Sequence, residues 1–112
     1  MAKSRATRMF RRILHPSDFS PAARPAFRKA VELAKANGAE LVITHVLPTL
    51  PLMPDTYIGM PADSIARLAK SRRADVIVIG THGRTGFQRA LMGSVAARVI
   101  ALARCPVLTV RA

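Results

Sequence analysis

Four short apolar runs constrain this chain more than any other feature: Arg12-Ile13-Leu14-His15, Leu41-Val42-Ile43-Thr44-His45-Val46, Val76-Ile77-Val78-Ile79 and Val107-Leu108-Thr109-Val110. They are rich in β-branched residues and mostly lack polar alternation, the pattern of strands buried on both faces of a parallel sheet. Helical segments lie between them. Strands alternating with helices predict an α/β layer, an open parallel sheet joined by right-handed crossovers in the order β-α-β-(loop)-α-β-α-β.

The helices announce their ends. Asp18-Phe19-Ser20-Pro21 starts the first, residues 21–24 read as a lead-in turn, and the regular helix is expected from about 25 to 36, closed by Asn37-Gly38. Phe27, Val31 and Ala34 are its expected buried stripe. The second helix starts at Pro61 and carries Ile65, Leu68 and Ala69 on one face. The last is expected to start near Ser94, with Val95, Val99 and Leu102 buried, and must end before Cys105-Pro106. Pro48 to Pro61 reads as a surface loop.

At 112 residues the chain has room for a single domain over residues 1–112, with 1–11 as a basic tail and 48–60 as the loop. Aromatic residues are only 4% and Trp is absent, so Val, Ile, Leu, Ala and Met must build the core. No apolar run approaches the roughly 18 residues of a membrane span, and the basic N-terminus lacks the apolar stretch of a signal peptide. The single cysteine, Cys105, excludes an intramolecular disulfide and fits a reducing compartment, so a cytoplasmic domain is expected. Before a proline, it reads as small apolar filling and not as a nucleophile.

Eighteen basic residues against six acidic ones give a net charge of +12. Such a chain attracts anions, whether nucleotide, nucleic acid or acidic surface. Beyond the tail (Lys3, Arg5, Arg8, Arg11 and Arg12), the basic residues scatter along predicted helices without interleaved aromatic stacking platforms. A solvated arginine-rich surface is therefore preferred to a nucleic-acid interface.

The informative segment runs from Gly80 to Val95, directly after the third strand. Gly80 and Gly83 are expected to let the backbone turn sharply and approach a ligand. Gly93-Ser94 is expected at a helix N-terminus, where free N–H groups favour an anion, with Arg84 and Arg89 adding charge-assisted bonds. In an open α/β sheet, ligands bind outside the carboxyl ends of the strands. Neither the P-loop nor the dinucleotide fingerprint is present; the spacing is Gly-x2-Gly-x9-Gly-Ser. Read alone, it is compatible with a phosphate cradle or with a turn that merely connects strand to helix.

The run Gly80 to Val95, followed by Cys105-Pro106-Val107-Leu108-Thr109-Val110, closely resembles the C-terminal signature of the universal stress protein family. Ile13-Leu14-His15-Pro16-Ser17-Asp18-Phe19-Ser20 is similar to that family's first strand and loop, Leu41 to Leu47 to its second strand, and Gly59 to Ile65 to the entry of a later helix. The resemblance implies the family's three-layer, flavodoxin-like nucleotide-binding fold and an ATP pocket, with Mg2+ or Mn2+ accompanying the phosphates. Pro16, Ser17 and Asp18 would lie by the adenine and ribose, and Val46 would meet the adenine through its backbone. Gly80, His82, Gly83, Gly93, Ser94 and Val95 would line the ribose and phosphate path, with Arg84 beside them. Asp18 also reads as a helix-entry cap, and one residue can serve both ends. A metal reading of His15, His45 and His82 has no supporting ligand spacing. No residue reads as a base for water at the γ-phosphate, so binding is expected in place of turnover.

The family's strand order of 3-2-1-4-5 is incomplete here, because the helix and strand around strand 3 have no counterpart. Either that unit has been removed, or an insert is left out at Ile58-Gly59; the apolar edge of a four-stranded remnant favours the second. The resemblance also implies a homodimer through the C-terminal strand. Besides the ATP-binding stress module, two alternatives stay open: a nucleotide-independent dimeric platform of the same fold, and a nucleic-acid binder.

Overall fold

The computed structural model describes residues 9–45, 61–81 and 89–111. Strand β1 (Arg12–Ser17) leads through a 3-10 turn (Pro21–Ala23) into helix α1 (Arg24–Asn37) and strand β2 (Glu40–His45). Helix α2 (Pro61–Ser71), strand β3 (Val76–Gly80), helix α3 (Arg89–Leu102) and strand β4 (Val107–Val110) follow. The sheet is open and parallel, in the order β2-β1-β3-β4. The junction at Ile58-Gly59 and the loop from Pro48 to Met60 lie outside the described residues. No helix among the described residues is long and apolar enough to cross a membrane.

The step from β1 to β2 goes one way and the later steps go the other, so crossovers of one hand must place helices on both faces. They do. Ala30 of α1 packs with Ile13, Val76 and Val78 on one face. Ile65 and Ala69 of α2 and Val95, Ala96 and Val99 of α3 pack with Leu14, Ile77 and Ile79 on the other. Local signals set the ends of the elements. Gly38 closes α1 in the left-handed conformation (φ 60°), and Asp75 Oδ2 accepts from the backbone N–H of both Arg11 and Arg12, at 2.8 and 2.9 Å. That carboxylate ties the start of β1 to the turn before β3.

Three expectations need correction. The buried stripe of α1 is Ala26 and Ala30; Ala34 is half-buried against the same core, Val31 is half-buried, and Phe27 is 40% exposed with its ring 6.0 Å from the buried imidazole of His15. Only small residues fit there, because the helix lies close on the sheet: a Cβ added to Gly80 would stand 3.5 Å from Ala26 Cβ. Helix α3 starts at Arg89 and not near Ser94. Ala90, Leu91 and Met92 are strong helix formers, and a glycine inside a helix costs only about 1 kcal/mol, so the helix runs through Gly93. Leu102, as its last residue, is exposed where burial was expected.

Strand β1 also runs two residues further than the apolar run suggests, through Pro16 and Ser17. It pairs with β2 along its whole length, Arg12↔Glu40 to Ser17↔His45, but with β3 only at Ile13↔Val76 and Leu14↔Ile77. The cause is a missing hydrogen. Glu40 N–H donates to the Arg11 carbonyl and Asp75 N–H to the Arg12 carbonyl, so successive residues of β1 address opposite neighbours. That alternation turns Leu14 and Pro16 toward β3. Continuing the register sets the Val78 carbonyl against the nitrogen of Pro16, which has no hydrogen to give. The imidazole of His15 takes its place, with Nδ1 at 2.8 Å from the Val78 carbonyl oxygen. A carbonyl only accepts, so Nδ1 carries the proton and Nε2 is the bare nitrogen. Nε2 is buried without a hydrogen-bond partner among the described residues.

Burial pushes the pKa of His15 below the ordinary 6.5, against the opposing pull of the Val78 carbonyl. As the pH falls through about 6.5, the unfolded chain takes up this proton while the folded chain refuses it. His15 therefore contributes stability that is complete above that pH and declines below it, by at most about 1.4 kcal/mol per pH unit. Urea melts at a series of pH values should show this slope, and His15→Gln should flatten it.

Candidate functional site

Past Leu14 and Ile77 the two central strands are no longer bridged by backbone pairs, and their helices leave toward opposite faces. This is the topological switch point of the sheet, where an open α/β fold has its crevice. The residues at its rim come from the ends of three strands. Pro16 and Ser17 close β1, both buried, and Asp18 follows at the half-buried rim. Gly80 closes β3 across the gap, and His45 closes β2 opposite Ser17.

Two side chains fix the loop after β1. Ser17 Oγ accepts from Phe19 N–H at 3.0 Å, and Asp18 Oδ1 accepts from Ser20 N–H at 2.9 Å. Asp18 is not the helix cap read from the sequence, since Ser20 is the N-cap; its i to i+2 bond instead makes a turn that orients Ser20 at the mouth of the 3-10 turn. The same geometry leaves its second carboxylate oxygen with no hydrogen bond among the described residues. Phe19, between them, is held at φ 59°, a left-handed conformation that a bulky side chain seldom adopts. Phe19 as a residue is 60% exposed, and its ring lies 4.8 Å, centroid to centroid, from that of His45, the planes inclined at 43°.

Of the predicted site residues, the structure brings Pro16, Ser17, Asp18 and Gly80 to one rim. Val46, His82, Gly83 and Arg84 lie outside the described residues. Gly93 and Ser94 sit in the second turn of α3, so the expectation of free N–H groups there is corrected: the unpaired donors of the helix belong to its first turn, from Arg89. Val95 is buried in the core against Leu14, Ile77 and Ile79, so its side chain does not line a ligand path. Gly80 is extended strand and not a sharp turn, since Gly38 has the one positive φ among the described glycines. Cys105 is half-buried against the second core, and burial pushes its thiol pKa up, which suits filling and not reactivity.

Sequence reasoning passed over His15 as a structural donor and Phe19 and His45 as a pair. The first signal was available: a histidine directly before a proline inside a central strand stands beside an unmet carbonyl. For the second, an aromatic residue between Asp18 and Ser20 was notable in so aromatic-poor a chain.

With this geometry in view, the chain matches the model of the universal stress protein family over residues 9–58 and 54–111. A universal stress protein of Thermus aquaticus is 30% identical over 137 aligned residues, covering 92% of this chain and 100% of that one. Since 92% of this chain is about 103 residues, some 34 aligned positions have no counterpart here. Together with the division of the family match at residues 54–58, this supports the reading of a missing unit beside the second strand. Among solved structures, universal stress protein UspA from Lactobacillus plantarum superposes with a TM-score of 0.71 at 25% identity, covering 90% of this chain and 97% of that one. A universal stress protein in complex with cAMP gives 0.67 at 25% identity, covering 92% and 98%.

The rim separates fold from ligand contact experimentally. A Cβ on Gly80 meets Ala26 Cβ at 3.5 Å and the Val110 carbonyl oxygen at 3.8 Å, both ordinary contacts. Gly80→Ala should therefore keep its stability within about 1 kcal/mol of the parent. Asp18→Ala, which removes the acceptor for Ser20 N–H, should lose about 1 kcal/mol. Urea denaturation of the two variants checks both.

Proposed function

Because this chain belongs to the universal stress protein family, we propose that it is an ATP-binding stress-response module, in which the nucleotide acts as a regulatory ligand and not as a substrate. The observation that carries this is the switch point between β1 and β3, where Pro16 ends the backbone ladder and Asp18 stands at the strand ends. A carboxylate held through one oxygen, with the other turned to no partner among the described residues, suits an amine or hydroxyl donor such as adenine or ribose offers. The structural relative in complex with cAMP supports an adenine nucleotide as the ligand class.

In this reading Pro16, Ser17, Asp18 and Val46 take the base and sugar. Gly80, His82, Gly83, Arg84, Gly93 and Ser94 follow the phosphates, while Val95 makes no direct contact, its side chain buried in the core and its N–H within the helix. The positive end of α3, at Arg89, adds its dipole. Mg2+ or Mn2+ would neutralise phosphate charge there. The module works in the cytoplasm, as its single cysteine suggests. Titration calorimetry with ATP on dialysed protein should give saturable heat at sub-millimolar ligand, without steady phosphate release; absence of heat would refute the nucleotide reading.

The second part of the proposal is a homodimer formed along β4. This strand has no neighbour on its outer side among the described residues, and Leu108 on it is 38% exposed. Ile100 and Leu102 of α3 are exposed as well. An apolar strand edge beside apolar helix residues favours pairing with a second copy. A nucleotide-independent platform would use the same edge, and the two readings separate on whether ATP alters assembly. Leu108→Lys should shift the protein toward monomer in sedimentation velocity; an unchanged dimer would place the interface elsewhere.

A further inference from the structure

We propose that Phe19 and His45 form an aromatic platform on which the base of the bound nucleotide stacks. The inference rests on the nucleotide reading above and adds a recognition element to it. Phe19 is an anomaly twice over. The residue is largely exposed in a chain with few aromatic residues, and its backbone is held in a conformation costly for a bulky side chain. Core packing does not explain it, since the ring belongs to neither buried cluster. Nor is it a loose loop residue, because Ser17 Oγ bonds its own N–H and Asp18 Oδ1 that of the next residue.

The location gives the anomaly a direction. Phe19 directly follows Pro16, Ser17 and Asp18 at the end of β1, and its ring meets that of His45 at the end of the neighbouring β2, the strand that leads into Val46. A glycine would satisfy φ 59° without strain, so the loop geometry does not need a phenyl group. What the phenyl group adds is a wet aromatic face beside a second ring. Its complement is a flat, weakly hydrated π surface, which a purine offers and a ribose or a phosphate does not. The platform therefore recognises the base, with preference following stacking area, purine above pyrimidine, and with little regard to the number of phosphates.

The test uses Phe19→Ala, Phe19→Leu, Phe19→Gly and Phe19→Trp in the full chain, titrated with ATP, AMP, CTP and pyrophosphate. Alanine, leucine and glycine should each weaken ATP and AMP by about tenfold or more and leave any pyrophosphate affinity unchanged. The parent should bind ATP more tightly than CTP. Phe19→Gly should be at least as stable as the parent to urea while losing nucleotide affinity, a split that a purely structural role would not produce. The chain has no other tryptophan, so emission from Phe19→Trp reports on this position alone. It should retain affinity and be quenched by AMP but not by pyrophosphate. Parental ATP affinity in the leucine or alanine variant would overturn the platform and leave the nucleotide reading standing. A parent protein that binds neither ATP nor AMP would overturn both.

Discussion

The architecture of the crevice depends on one hydrogen bond that a side chain makes because the backbone cannot. Pro16 removes a donor from the central pair of strands, and the Val78 carbonyl it would have served is met by His15 Nδ1. Were that carbonyl left bare in the interior, the fold would bear the cost of a desolvated acceptor, about 1–3 kcal/mol. With His15 in place the backbone pairing of β1 and β3 can stop after Leu14 and Ile77 without that loss. The rim lies just beyond this bond, since Ser17, Asp18 and Gly80 stand at or next to the ends of the two strands. The imidazole also brings a liability, because its Nε2 is buried unpaired and can be charged only against burial.

Much of this fold is legible in the sequence, and the exceptions have physical causes. The strands were visible because both faces of a parallel sheet are covered, so Val76 to Ile79 must be apolar throughout. Gly38 was visible because a left-handed cap excludes most side chains. The stripe of α1 was misread since hydrophobicity alone ranks Phe27 above Ala26, whereas the close approach of helix to sheet ranks them by size. The start of α3 was misread since Gly93-Ser94 looks like a helix entry, yet the residues before it favour helix more than Gly93 disfavours it. The turn-forming part of Asp18 is legible because its hydrogen bond is local, to the N–H of Ser20 two residues on. Phe19 was passed over because its conformation is set by two neighbouring hydrogen bonds that no periodicity announces.

The charge excess finds few internal uses. Arg12 pairs with Glu40 at 2.7 Å and gives another bond to the Arg72 carbonyl, and Lys29 pairs with Glu32 on the exposed face of α1. These pairs are exposed and contribute little each. The positive charge is thus chiefly a property of the surface, where it raises the local concentration of any anion near the crevice. The outer strands carry a different burden. Ile43 on β2, like Leu108 on β4, keeps much of its side chain in water, so the sheet ends in apolar edges on both sides.

Positions 15 and 16 also form a genetic unit. Loss of His15 alone strands a buried carbonyl, while loss of Pro16 alone gives that carbonyl a second, competing donor. Neither change has the same meaning in the background of the other, so their effects cannot add. The double replacement returns the central strands to an ordinary ladder, with one more backbone rung and no unpaired imidazole nitrogen. Stability alone therefore favours replacing the two together over replacing either one.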